Sequence, residues 1–122
     1  MRNLQSMTQH ELEVGGTLYD VEQAAVRIQE FVQGMTLEQY VGDRRTVAAV
    51  EREFITIGEA LRRVFRLDAS AAGRITDARR IIDFRNTLTH GYDRIENDAV
   101  WRIIQHQLPQ LIAEARMLRE SL

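Results

Sequence analysis

Apolar residues recur at three- and four-residue steps in four separate stretches of this chain, and nowhere do apolar and polar residues alternate long enough for a half-buried strand. A chain so patterned has to pack helices against helices. In the first stretch, Leu18, Val21, Ala25, Ile28 and Val32 follow Thr17, and Thr17 with Asp20 three residues on predicts a helix N-terminus there, with an end near Gly34. Thr36 and Gln39 predict a short turn of helix, closed by Gly42 and Asp43. From about Arg44 to Arg66, Val47, Val50, Phe54, Ile57, Leu61 and Val64 form the stripe of a long helix. Leu67 to Gly73 reads as a loop or a short helical piece, and a further helix is expected from about Thr76 to His90, ended by Gly91 in a left-handed turn. Asn97 or Asp98 is expected to cap the last helix, whose stripe is Val100, Ile104, Leu108, Leu111, Ala115 and Leu118. Pro109 falls inside that stripe and should kink the helix or remove one backbone hydrogen bond. Four amphipathic helices with short connections predict an all-α fold, an up-and-down four-helix bundle with a short extra helix.

At 122 residues and 44% apolar content the chain is long enough for one buried core and too short for two. Residues 1–16 read as an N-terminal extension and residues 17–122 as the helical domain. Without cysteine there is no disulfide, no thiolate metal site and no cysteine nucleophile. No apolar run reaches the roughly 18 to 20 residues that span a bilayer, and Met1 to Gly16 lacks the pattern of a signal peptide, so no membrane association and a cytoplasmic location are expected.

All sixteen basic residues are arginine, and they are unevenly spread. Residues 1–43 hold two arginines against seven acids, whereas residues 44–94 hold eleven against seven. A near-neutral protein with a basic middle can bind an anion there without binding nucleic acid indiscriminately.

The chemistry is concentrated in Arg85-Asn86-Thr87-Leu88-Thr89-His90-Gly91-Tyr92, at the end of the helix expected from Thr76. Counted around that helix, Ile81, Ile82, Phe84 and Leu88 cover one side, and Arg85 points into the same side. A guanidinium facing apolar surface requires a carboxylate, a phosphate or a partner subunit. This motif, with Ile57-Gly58-Glu59-Ala60 on the long helix and Val100-Trp101-Arg102-Ile103-Ile104 leading to Leu108-Pro109 on the last, resembles the HepT-like branch of the HEPN superfamily over roughly residues 18–120. The resemblance implies a helical, metal-independent endoribonuclease that acts as a toxin, paired with a minimal nucleotidyltransferase antitoxin that transfers AMP onto the motif tyrosine, here Tyr92. It also implies a homodimer in which motif helices from two subunits form one cleft.

The residues by themselves are compatible with that chemistry. RNA carries its own nucleophile, the 2′-hydroxyl, so cleavage calls for a base, an acid and positive charge on the phosphorane, and no metal or other cofactor. His90 fits the base or acid role near neutral pH, and the dipole at a helix C-terminus favours its protonated form. Arg85 fits the phosphate, since its planar fork stays charged. Asn86 lies four residues before His90 and shares its face, where its amide can orient the imidazole or a substrate oxygen. Arg85 and His90 are about 140° apart around a helix and about 7.5 Å along it, which favours a site composed across a two-fold axis over one made within a single helix.

Each of these residues also has a plainer reading. A histidine before glycine is an ordinary helix C-cap, and Tyr92 a surface aromatic after a turn. Glu59 reads as an ion-pair partner for Arg85, a support for the motif helix, or a solvated face residue. Gly58 suggests a close helix approach, and Trp101 a core or interface anchor or a base-stacking platform. Arg62, Arg63, Arg66, Arg79 and Arg80 read as solvated charge or as a track for an RNA backbone. His10 and His106 lack partners at metal-ligand spacing, so no metal site is expected. The alternatives to a nuclease are a catalytically silent nucleotide- or RNA-binding module of the same superfamily and a structural helical dimerisation partner.

Overall fold

The computed structural model describes residues 3–90 and 96–122, except for the side chains of Arg85, Leu88, Thr89 and His90. After a 3-10 turn at Leu4–Ser6, the described residues form α1 (Gln9–Val32), α2 (Leu37–Gly42), α3 (Arg44–Leu67), α4 (Ala69–Ala72), α5 (Ala78–His90) and α6 (Asn97–Glu120), with no strand among them.

The start of α1 corrects the sequence reading. Thr8 is the N-cap in place of Thr17: its hydroxyl accepts from the Glu11 amide at 3.1 Å and its own amide donates to Glu11 Oε1 at 3.0 Å. Thr17 is an interior residue, 5% exposed, whose hydroxyl donates to the Glu13 carbonyl at 2.8 Å. Gly15 and Gly16 do not break the helix, because Val14 extends the apolar stripe into the core at 1% exposure and outweighs the roughly 1 kcal/mol that each glycine costs. At Gly15 the missing side chain also makes room, since a Cβ there would come within 3.2 Å of Leu122 Cδ1.

The remaining boundaries follow local chemistry closely. Gly34 adopts φ +77° just beyond α1, a conformation that favours glycine. Thr36 and Gln39 form a capping box for α2, and Asp43 caps α3 by accepting from the Thr46 amide at 3.1 Å. Neither Asn97 nor Asp98 caps α6: the N-cap position is Glu96, which makes no side-chain cap. Asp98 instead sits in the first turn, where the helix dipole favours an anion, and pairs with Arg102 at 3.8 Å. Pro109 is accommodated within the continuous α6.

The long helices alternate in direction. Arg27 of α1 grips Glu53 of α3 through Nε to Oε2 at 3.0 Å and Nη2 to Oε1 at 3.1 Å. Phe54 and Phe65 of α3 meet Phe84 and Arg79 of α5, respectively, which sets those two helices antiparallel. Glu22 of α1 binds Arg116 and Arg119 of α6, and Gly15, earlier on α1, lies against Leu122 beyond the end of α6, so that pair is antiparallel too. Five of the six α3 stripe residues are fully buried, Val47 being half-buried, and all six on α6 are buried, joined by Leu18, Val21, Ile28 and Tyr40. The result is an all-α, HEPN-like helical bundle.

Candidate active site

Helix α5 is fixed from the residues just before its first turn. The Thr76 amide and hydroxyl donate to Glu114 of α6 at 3.1 Å and 2.7 Å, and Gln110 donates to the same hydroxyl at 3.3 Å. Arg79 lies over the Phe65 ring at 5.0 Å, Ile81 is buried, and Phe84 stands edge-on to the fully buried Phe54 with centroids 5.2 Å apart. These contacts hold the helix along the bundle, so its final turns project from a defined base.

Those turns carry the motif. The helix runs unbroken to His90, so the backbones of Arg85 and His90 keep the separation of about 7.5 Å along the axis that their spacing predicts. Asn86 is half-buried on the same turn as Arg85, and Thr87 is held by its hydroxyl donating to the Asp83 carbonyl at 3.2 Å. The side chains of Arg85 and His90, the expected helix stop at Gly91, and Tyr92 lie outside the described residues.

Glu59 is exposed on α3 and lines a groove between α1 and α3 with a volume of about 590 Å³, together with Asp20, Gln23, Arg27, Arg63 and Arg66. Gly58 beside it is buried. Trp101 is a half-buried anchor on α6 whose ring lies 5.4 Å from that of Tyr40. His10 and His106 are exposed, and no group of three or more His, Asp or Glu side chains suited to a metal occurs among the described residues.

Two polar features escaped the sequence reading. The Tyr40 hydroxyl is buried without a hydrogen-bond partner among the described residues, and burial, with the charge of Glu51 nearby, pushes its pKa up to about 12. Burial likewise raises the pKa of Glu51. Glu22, 3% exposed, is held by Arg116 Nε at 2.8 Å and Arg119 Nη2 at 2.9 Å. Burial pushes its carboxyl up, but the two arginines outweigh that and hold it below the ordinary glutamate value. Its signal in the sequence was a carboxylate four residues after Leu18 and three before Ala25, inside the apolar stripe of α1.

Residues 21–118 match the model of the family described as ribonuclease HepT-like. The chain belongs to the HepT-like ribonuclease family. It is an endoribonuclease of the HEPN type. A protein of Thermococcus cleftensis named provisionally as ribonuclease HepT is 26% identical over 103 residues, covering 84% of this chain and 93% of its own. Two proteins of Methanocaldococcus jannaschii, each named provisionally as an RNase, are 24% and 27% identical over 87% and 84% of this chain, and over 96% and 84% of their own lengths. No solved structure matches the chain. No described helix is long and apolar enough to cross a membrane.

Proposed function

We propose that this HepT-like ribonuclease is the toxin of a HEPN and minimal-nucleotidyltransferase pair, cleaving RNA without a metal at a site composed from two subunits. The observation that carries this reading is that one uninterrupted helix, anchored at its base by α3 and α6, presents Arg85, Asn86 and His90 on its last two turns within the matched family segment. In the proposed reaction the 2′-oxygen attacks the adjacent phosphorus as its proton leaves to a base. The bond to the 5′-oxygen then breaks as that oxygen takes a proton, giving a 2′,3′-cyclic phosphate and a free 5′-hydroxyl. His90 serves one of the two proton transfers, and Arg85 balances the charge that develops on the phosphorane oxygens. Asn86 orients the imidazole, and Glu59 supports the motif helix from α3.

Because Arg85 and His90 diverge around their helix, the arginine of one protomer is assigned to act with the histidine of the other across the two-fold axis. Tyr92, two residues beyond His90, is the proposed acceptor of AMP from the antitoxin. The added phosphate would put bulk and negative charge where the RNA phosphate must sit.

The test is RNA cleavage by purified protein in a chelator. Cleavage should persist in EDTA, and His90→Ala should lower it by about 10²- to 10⁴-fold. Mixing Arg85→Ala with His90→Ala subunits should restore about one quarter of the parent activity, because half the dimers are mixed and each of these has one intact composite site. Loss of cleavage in EDTA, a fully active His90→Ala protein, or no restoration on mixing would each overturn the corresponding part of the reading.

A further inference from the structure

The end of the bundle opposite the motif carries an unbalanced positive charge. Between residues 62 and 80 there are six arginines, Arg62, Arg63, Arg66, Arg74, Arg79 and Arg80, against Asp68 and Asp77. All six arginines are exposed, and none has an ion-pair partner among the described residues. Asp68 is committed to the N-cap of α4, where it accepts from the Ala71 amide at 3.0 Å. By contrast, Arg27, Arg102, Arg116 and Arg119 elsewhere in the chain each hold a carboxylate.

The shape of this end suits a flexible polyanion. A groove of about 590 Å³ runs along one side of α3, with Arg63 and Arg66 at its basic end, while Asp20 and Glu59 lie nearer its middle. On the other side of the last turn of α3, a second hollow of about 550 Å³ is lined by Arg79 and Arg80 at the start of α5. Tyr19 lines the first groove, is 48% exposed, and carries the Arg119 guanidinium 5.5 Å from its ring centroid. Arginines on both flanks of a ridge with an aromatic ring beside them are what a single strand uses: forks for phosphates and a face for a base. An acidic protein surface would have use for the charge but not for the aromatic ring in a nucleotide-sized groove.

We propose that this end of the bundle is a second RNA-contacting surface, in which Arg62, Arg63, Arg66, Arg79 and Arg80 bind phosphates of the substrate strand remote from the cut and Tyr19 stacks on one of its bases. Arg79 lies eleven residues before His90 on one continuous helix, so the surface sits about 16 Å from the motif along α5, within reach of a few nucleotides of the same strand. The inference rests on RNA being the substrate. These arginines are positioning residues, which select strands long enough to span both surfaces.

The experiment uses the full chain carrying His90→Ala, so that the RNA survives, and measures binding of a fluorescently labelled single-stranded RNA of about 12 nucleotides by anisotropy across a salt series. Adding Arg62→Ala, Arg63→Ala and Arg66→Ala together should weaken binding by at least about tenfold at about 0.1 M salt and lower the slope of log affinity against log salt by about 2, for three lost phosphate contacts. Tyr19→Ala alone should weaken binding by at least about fivefold while leaving that slope unchanged. Affinity and slope unmoved by the triple substitution, with circular dichroism showing a folded protein, would overturn the proposal and leave the charge to an acidic protein partner. Failure of the nuclease reading would look different: the parent chain would bind RNA with the same dependence on these arginines and not cut it.

Discussion

Replacing Glu22 by Gln tests how α1 and α6 are joined. The carboxylate is 3% exposed and accepts one hydrogen bond from each of Arg116 and Arg119, so the amide must present an NH₂ group to one of two guanidiniums. Removing one partner of a fully buried pair costs about 3 to 5 kcal/mol. Here the arginine side chains are 50% and 31% exposed and can recover water, which lowers the expectation to about 2 kcal/mol. For 122 residues the unfolding entropy is about 0.26 kcal/mol per kelvin, so Tm should fall by about 8 °C near pH 7, read by circular dichroism. The pH dependence supplies a second check. Glu22 has a folded-state pKa below its unfolded one, so its contribution is present above the ordinary glutamate value and lost as pH falls through the depressed one. The gap between parent and variant should therefore shrink as pH falls below the ordinary glutamate value. A gap under about 2 °C at neutral pH, or one that stays constant on acidification, would refute the argument that charge pairing holds this seam.

Phe54→Ala empties the site against which Phe84 stands and should cost about 3 to 5 kcal/mol, lowering Tm by about 12 to 20 °C and loosening the base of α5; a loss below about 1 kcal/mol by chemical denaturation would contradict that packing. Tyr40→Phe removes a buried hydroxyl with no partner among the described residues, so Tm should hold or rise by a few degrees, and a clear fall would mean that the hydroxyl is satisfied. Full AMP modification of Tyr92 should abolish RNA cleavage, and mass spectrometry beside the cleavage assay decides it: undiminished activity in the fully modified protein would remove Tyr92 from the regulatory role.

The helices were legible because burial writes itself into spacing. Val50, Phe54, Ile57, Leu61 and Val64 on α3, and every stripe residue of α6, face the core as their three- and four-residue steps require. The ends were harder, since a cap is a local choice between similar patterns. The spacing of Thr17 and Asp20 looks like a helix start, yet the cap is Thr8 with Glu11, and what decides between them is whether Val14 has a core to enter, which depends on α6 and Leu122 a hundred residues away. Tyr40 and Glu51 were illegible for the same reason: only the meeting of separate helices buries them.

Glu22 lies on the apolar face of α1, and the spacing of the sequence assigns Arg85 to the apolar face of its own helix, where a charge makes the same demand for a counter-charge. For Glu22 the chain answers the demand itself, with two arginines from α6. The proposed answer for Arg85 is the RNA phosphate, at a site completed by a second copy's histidine. A charge satisfied within the fold makes a seam, and one reserved for a ligand makes a site. The mixed dimer of Arg85→Ala and His90→Ala subunits separates the two outcomes, since a purely internal partner for Arg85 would leave the mixture as inactive as its parts.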